Sequence, residues 1–138
     1  MAFDQTLTTS FKQDILLGVH DLDTDTLKMA LYLATANLDA DTTVYTATGE
    51  TSGTGYTAGG NVLTGVTVET SGTTAFVDFA NPTWNPANFT ARGALIYNVT
   101  KGNKAIAILD FGSDKVATTT FVVEMPANTV SSALIRIA

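Results

Sequence analysis

Hydrophobic and polar residues alternate along most of the chain from Leu27 to the C-terminus. In the first such stretch, Leu27 and Met29 fall on one side of an extended chain and Lys28 falls on the other. A period of two predicts a half-buried β-strand. The same pattern predicts seven strands, at Leu27–Leu33, Val62–Glu69, Ala75–Phe79, Phe89–Tyr97, Ala105–Leu109, Thr119–Met125 and Ala133–Ile137, with a possible eighth at Thr43–Thr46.

One short helix is predicted ahead of the strands. Residues 10–13, Ser-Phe-Lys-Gln, have the spacing of a capping box, in which the first and last side chains bond each other's free backbone N–H groups. Phe11, Ile15 and Leu16 would share one face of this helix, and Gly18 would let the chain leave it through positive φ. A helix of about eight residues is marginal by itself, so it must pack on the rest of the protein.

Turn-forming residues separate the predicted strands, among them Ser71-Gly72, Asn81-Pro82, Lys101-Gly102-Asn103 and Gly112-Ser113. Short strands at this spacing, without a second helical segment, predict an all-β fold: an antiparallel β-sandwich or jelly roll of about seven to eight strands with one short N-terminal helix. An open barrel is the alternative. We expect residues 1–18 to form an N-terminal arm and helix, and residues 19–138 to form a single β-sandwich domain.

Charge is sparse and unevenly placed in this chain of 138 residues, which has a net charge of −6 and no cysteine. No lysine or arginine occurs between Lys28 and Arg92, so that half lacks the clustered cations that a nucleic-acid groove requires. No apolar stretch is long enough to cross a membrane, and the N-terminus does not resemble a secretion signal. We therefore expect neither nucleic acid nor a membrane as a partner.

Three aspartates at alternate positions, Asp21, Asp23 and Asp25, have the opening spacing of a calcium-binding EF-hand loop. The sixth position of such a loop is Thr26 here instead of glycine, and the twelfth is Tyr32 instead of glutamate. A solvated acidic loop between the helix and the first strand is therefore the favoured interpretation, and no metal site is predicted.

His20 is the only histidine, and a general base needs a nucleophile within reach and a third group to orient the ring. Asp21 is its neighbour along the chain, but adjacent side chains rarely face each other. A polar residue that follows the helix is the favoured interpretation of His20. We predict no catalytic residue and no cofactor, and a small β-sandwich hydrolase that uses His20 is the least favoured alternative.

The segment Ala47–Gly60 is rich in threonine and glycine. Its glycines do not match a phosphate-binding loop, because Asn61 and a strand follow where that motif has a lysine and a helix. A hairpin or surface loop that fits against a neighbouring subunit is favoured.

Trp84 lies between two prolines that exclude regular strand pairing. For this residue, a core position at one end of the sandwich is favoured over a partner-binding position.

Three runs resemble small virion structural proteins of tailed bacteriophages. They are Glu50-Thr51-Ser52-Gly53-Thr54-Gly55-Tyr56-Thr57-Ala58-Gly59-Gly60, Ala91-Arg92-Gly93-Ala94-Leu95-Ile96-Tyr97-Asn98 and Asp110-Phe111-Gly112-Ser113-Asp114-Lys115. The resemblance implies a non-enzymatic structural protein of the virion, above all a capsid decoration or cement protein on the capsid surface. Its partners would be the major capsid protein or other virion proteins, and it would form homo-oligomers, with trimers favoured.

On this hypothesis the N-terminal segment or the glycine-rich loop contacts the neighbours. The candidate contact residues are Phe3, Phe11, Gly53, Gly55, Tyr56, Gly59, Gly60 and Trp84. The alternative is a neck, tail or fibre component that binds a host-surface carbohydrate or adhesin, with Trp84, Tyr56 and Tyr97 as the aromatic rings on which a sugar would stack.

Overall fold

The computed structural model describes residues 5–129 and 131–138, which contain one helix and ten strands, and every strand pairing is antiparallel. In chain order the elements are β1 (Thr6–Leu7), α1 (Thr9–Leu16), β2 (Leu27–Tyr32), β3 (Asn61–Val62), β4 (Thr67–Ser71), β5 (Thr74–Asp78), β6 (Thr83–Trp84), β7 (Phe89–Asn98), β8 (Lys104–Ala117), β9 (Phe121–Val122) and β10 (Ile135–Ile137). The predicted all-β, sandwich-like fold with one short N-terminal helix is confirmed.

The strands form a five-stranded sheet in the order β1-β8-β7-β2-β3, a three-stranded sheet in the order β10-β5-β4, and the pair β6-β9. The main core combines Met29 and Ile96 of the five-stranded sheet with Val77 and Ile135 of the three-stranded sheet. Side chains from two sheets therefore bury a common apolar layer, as in a β-sandwich.

The five-stranded sheet is buried on its second face as well. Tyr32, Leu95 and Ile108 point away from the main core and form a second apolar cluster with Ala36 and Leu38. The prediction that the first strand is only half-buried is therefore wrong beyond its first residues. The loop after β2 folds back over this face, which alternation along the strand does not reveal.

The helix begins earlier than predicted. Its N-cap is Thr8, whose hydroxyl oxygen accepts the backbone N–H of Phe11 at 3.1 Å, so the predicted capping box at residues 10–13 is wrong. The Thr8 hydroxyl also donates to the Ala105 carbonyl at 3.3 Å, which ties the helix start to β8. Gly18 follows the helix with φ +71°, as predicted.

The segment expected to be an N-terminal arm packs on the β body from Thr6 onward. β1 pairs with β8, and the Phe11 side chain is buried in the main core. Leu16, which was predicted to share the buried face with Phe11 and Ile15, is instead 86% exposed. Phe3, another candidate contact residue, lies outside the described residues.

Three of the predicted strands are interrupted, shortened or reduced to a single bridge in the structure. Val62–Glu69 is interrupted at Gly65, which has φ +62°, and its two ends belong to different sheets as β3 and β4. Within Thr119–Met125 only β9 is extended and paired. At Thr43–Thr46 a single bridge joins Val44 to Lys104.

The predicted turn at Gly112-Ser113 lies inside β8, which runs for 14 residues. The pairing of β7 with β8 shifts from Gly93↔Asp110 to Ala91↔Lys115, so residues 111–114 bulge out of the ladder. Gly112 has φ +82° in this bulge. In the described part of the chain, no helix is long and apolar enough to cross a membrane.

Candidate functional site

The glycine-rich run is fastened to the body around one carboxylate, that of Glu50. Its Oε1 accepts the Tyr45 hydroxyl at 2.6 Å. Its Oε2 accepts the Tyr56 hydroxyl at 2.5 Å and the Gly59 backbone N–H at 2.7 Å. Charge-assisted hydrogen bonds of this length are among the strongest polar contacts in proteins. Glu50 therefore fixes both the start and the end of the loop.

Two tyrosines join this network to the five-stranded sheet. The Tyr56 hydroxyl oxygen accepts the Leu31 backbone N–H at 2.9 Å while its own proton goes to Glu50. The Tyr97 hydroxyl, on β7, donates to the Gly59 carbonyl at 2.7 Å. The Tyr97 ring also stacks on Tyr45, with ring centroids 4.8 Å apart. The loop is thus held by side chains from before it, within it and beneath it.

The tyrosines of this network remain protonated at neutral pH. Burial, with a smaller contribution from the nearby Glu50 charge, raises the pKa of Tyr97 to about 12. Burial likewise raises the pKa of Tyr45 and Tyr56, and each hydroxyl is also held in its neutral form by its hydrogen bond to Glu50. These hydroxyls are therefore dependable donors to the carboxylate.

Glycine is required where the loop backbone approaches the body. A Cβ atom on Gly60, which has φ +81°, would lie 1.8 Å from the Met29 carbonyl oxygen. A Cβ atom on Gly55, at φ +85°, would lie 1.7 Å from the Pro86 carbonyl oxygen. Both distances exclude a side chain, so these glycines serve contacts within the chain.

The top of the loop is exposed. Residues 52–55, 57 and 58, here called the loop crest, are all solvent-exposed, whereas Thr51, Gly59 and Gly60 below them are buried. The Thr51 hydroxyl donates to the Thr90 carbonyl, and the Asn88 backbone N–H donates to the Thr54 carbonyl at 2.9 Å. The crest is therefore a small-residue surface on a fixed base.

Two of the candidate contact residues are core residues. Trp84 is 2% exposed and packs edge-on to Phe121, with ring centroids 6.0 Å apart, in agreement with the favoured core interpretation. Its strand β6 pairs with β9, so the expectation that the flanking prolines exclude strand pairing is wrong. Phe11 is also 2% exposed and lies against the His20 ring. Neither side chain presents a surface to a partner in the isolated chain. Of the predicted glycines, Gly53 and Gly55 are exposed and belong to the loop crest.

His20 lies in a buried polar cluster. Its Nδ1 is 3.0 Å from the Asn98 amide nitrogen, which also donates to the Asp25 carboxylate at 2.8 Å. Because that amide nitrogen can only donate, Nδ1 accepts, and the ring proton is assigned to Nε2. Nε2 lies 3.7 Å from the Asp14 carboxylate on α1.

The cluster keeps His20 neutral and inaccessible. Its side chain is completely covered, and burial lowers its pKa despite the neighbouring Asp14 and Asp25 carboxylates. Burial raises the pKa of Asp25, but the hydrogen bonds from Asn98 and from the Asp21 backbone outweigh this effect, so the net shift is downward. These contacts join the helix, the acidic loop and the end of β7, so the cluster stabilises the fold.

The acidic loop does not gather its carboxylates around one point. Asp21 Oδ1 accepts the backbone N–H groups of Asp23 and Thr24, at 3.2 and 3.3 Å, and so caps its own turn. Asp25 instead points toward Asn98 and the Lys101 ammonium group. Among the described residues, no group of three or more acidic or histidine side chains is placed to hold a metal ion.

Sequence reasoning missed the role of Glu50 and the exposure of Leu16. In the sequence Glu50 is distinguished only as the first residue of the run that ends at Gly60, because its partners are up to nine residues away and meet it only in the folded chain. The adjacent pair Leu16-Leu17 was the available signal for an exposed apolar surface.

Comparison of the chain with protein-family models, with curated proteins and with solved structures finds no match to any of them.

Proposed function

We propose that the protein is a non-enzymatic structural component of a tailed-phage virion, and specifically a decoration or cement protein on the capsid surface. The proposal starts from the three runs that resemble small virion proteins. The single structural observation that supports it is the loop crest, an exposed surface of small residues that Glu50 and its tyrosine partners hold in place.

A loop that is already ordered loses little conformational freedom when it docks. Side-chain and loop ordering at an interface costs about 0.5–1.5 kcal/mol for each immobilised side chain, and the crest, built of Ser, Thr, Gly and Ala, has little of this freedom to lose. Small side chains also let a partner's backbone approach closely. Both properties suit a subunit that is added to a rigid shell.

Stabilisation of the particle would then follow from mass action. A protein that binds only the assembled shell shifts the equilibrium between the intact and the disassembled particle toward the intact form. Each contact can be modest, because many copies bind one shell. No reaction and no cofactor are needed for this task.

The alternative, a neck, tail or fibre component that binds carbohydrate, has less support from the geometry. Trp84 and Tyr97 are buried at 2% and 3% exposure, and Tyr56 is partly buried with its hydroxyl bonded to Glu50. None of the three rings offers the open face on which a sugar stacks.

The test uses virions of the phage that encodes the chain. For a cement protein, quantitative mass spectrometry of purified particles is expected to find a copy number within about tenfold of the major capsid protein, because mass action requires wide coverage of the shell. A far lower copy number would favour the fibre alternative, and absence from the particle would refute the proposal.

The crest is tested with a matched pair of variants, T57R and T118R, each of which replaces an exposed threonine. Particles that lack the protein are mixed with each purified variant, and binding is measured by co-sedimentation. We expect T57R to bind much more weakly than the wild type and T118R to bind normally. Equal binding by both variants would exclude the crest as the contact surface.

A further inference from the structure

A groove of about 590 Å³ opens between α1 and the three-stranded sheet. Its lining is mostly apolar, and the accessible side chains of its walls include Ile15 of the helix and Val68 and Ile137 of the sheet. The exposed aspartates Asp21 and Asp23 form part of its rim, and His20 lies beside it with its side chain covered. The groove has the size of a binding pocket and is separate from the loop crest.

Two large exposed apolar side chains lie between residues that line this groove. Leu16 is 86% exposed and Leu17 is 68% exposed, and the flanking residues Ile15 and Gly18 both line the groove. Leu16 and Leu17 are here called the leucine knob. A single exposed leucine needs no explanation, but two adjacent ones beside an apolar groove form a patch of the kind that marks an interaction site.

The sheet on the other side of the groove is also incomplete. Every residue of β4 is exposed, and no other described strand pairs with its outer edge. Val68 of β4 and Ile137 of β10 line the groove and are 50% and 56% exposed. Edge strands are commonly protected by charged residues, proline or a bulge, and in residues 67–71, Thr-Val-Glu-Thr-Ser, the one such residue is Glu69.

These features favour a protein over a small molecule as the occupant. A small ligand would fill the groove but would leave the leucine knob and the edge of β4 uncovered. The charges favour a chain that carries a cation beside an apolar knob. Lys12 is such a cation, because it is exposed one helical turn before Leu16 and would meet the Asp21 and Asp23 rim of a facing copy.

We propose that the groove is a self-association site, in which the leucine knob of one copy inserts into the groove of a second copy. The knob and the groove are adjacent on one surface, so a two-fold axis allows both contacts to form at once. A dimer is therefore favoured at this site over the trimer that the resemblance to virion proteins led us to expect. The inference does not depend on the proposed function.

The test measures the mass of the full chain by sedimentation over a wide range of concentration. The wild type is expected to reach twice the mass of one chain, and the knob variant L16Q/L17Q is expected to remain a monomer. Glutamine is a good helix former, so this variant keeps α1. The matched control V116Q/V122Q changes two other exposed apolar residues, on β8 and β9, which do not line the groove, and it is expected to dimerise normally.

A mixing experiment distinguishes insertion of the leucine knob into the groove from nonspecific hydrophobic association. V68W fills the groove from its edge and leaves the leucine knob intact, so V68W alone is expected to be a monomer. A mixture of V68W with L16Q/L17Q retains one intact knob and one intact groove, and is expected to form mixed dimers more weakly than the wild type. A mixture that stays entirely monomeric would overturn the proposal.

The NMR signals of His20 give an independent test of dimer formation, because it is the only histidine of the chain and is among the residues around the groove. Its ring proton resonances in the NMR spectrum are expected to move with wild-type concentration and to stay fixed in L16Q/L17Q. A wild-type chain that is monomeric at all concentrations would refute the proposal, as would equal dissociation of the knob variant and the control variant.

Discussion

The glycine-rich loop and the groove beside α1 both open to solvent, but they expose different kinds of residue. The loop shows small side chains and is held from below by hydrogen bonds to Glu50. The groove shows leucine, valine and isoleucine and is bordered by an unpaired strand edge. The first region presents a preformed polar surface that hydrogen bonds within the chain hold in place, whereas the second exposes apolar side chains and a strand edge that no described segment covers.

The comparison shows that the unusual composition of the glycine-rich loop has a cause within the chain itself. The glycines attracted attention as an interface, yet Gly55 and Gly60 are needed because the chain packs against its own carbonyl groups. Leu16 and Leu17, which are 86% and 68% exposed, occur at the end of an ordinary helical segment. The glycines are therefore explained by contacts within the chain, whether or not the exposed crest above them binds a partner, and the exposed apolar patch lies in a segment of ordinary composition.

The largest expected effect concerns the close packing of the loop. G60A would place a Cβ atom 1.8 Å from the Met29 carbonyl oxygen at φ +81°. We expect the free energy of unfolding to fall by about 4 kcal/mol, because overpacking and a left-handed alanine both contribute. The control is G72A, at φ +60° in open space, with an expected loss of about 1 kcal/mol. Chemical denaturation measures both values, and equal losses would show that Gly60 is not tightly packed.

The next effect concerns the carboxylate that fastens the loop. E50Q replaces a charged acceptor of three hydrogen bonds by a neutral amide, and we expect a loss of about 2 kcal/mol in the free energy of unfolding. E69Q is the matched control, because Glu69 is exposed and has one long hydrogen bond to Asn128. Its expected change is within about 0.5 kcal/mol. An E50Q protein as stable as E69Q would mean that the loop is held by other contacts.

The tyrosine network predicts sensitivity to alkali. The pKa of Tyr97 is raised from 10.0 to about 12 in the folded protein, and the pKa values of Tyr45 and Tyr56 are raised as well. Between the unfolded and folded pKa values, the folded state binds more protons. Stability is therefore full below about pH 10 and falls as the pH rises above it. Urea denaturation across this range measures the fall, which Y97F should reduce; constant stability up to about pH 11 would contradict the prediction.

The smallest effect concerns the cluster beside the groove. Burial lowers the pKa of His20 below 6.5, so the unfolded state binds more protons as the pH falls. The stability associated with His20 is thus present above pH 6.5 and is lost as the pH falls toward its folded pKa. H20Q should flatten this part of the profile in thermal melts. Asp25, with a pKa lowered from 3.8, adds a separate loss at more acidic pH, which H20Q should leave in place.

Part of the candidate site was predictable from the sequence. Trp84 was favoured as a core residue, which the structure confirms. The segment 47–60 was predicted to be a hairpin or surface loop that fits against a neighbouring subunit, and that contact stays a prediction. The Glu50 network was not predictable, because its hydrogen bonds join residues from β2, the loop and β7. The His20 cluster was missed for the same reason, since His20 and Asn98 are 78 residues apart in sequence.

The sequence by itself determined the all-β class, the single short helix and the exit from that helix at Gly18. These features depend on local alternation, turn residues and backbone freedom, which are properties of neighbours along the chain. Only the tertiary structure decided that the first long strand is buried on both faces, that residues 62–69 divide between two sheets, and that Leu16 faces solvent. The physical reason is that the spacing of apolar residues along the chain indicates which side of a strand or helix is apolar. Segments that are distant in the sequence determine what covers that side.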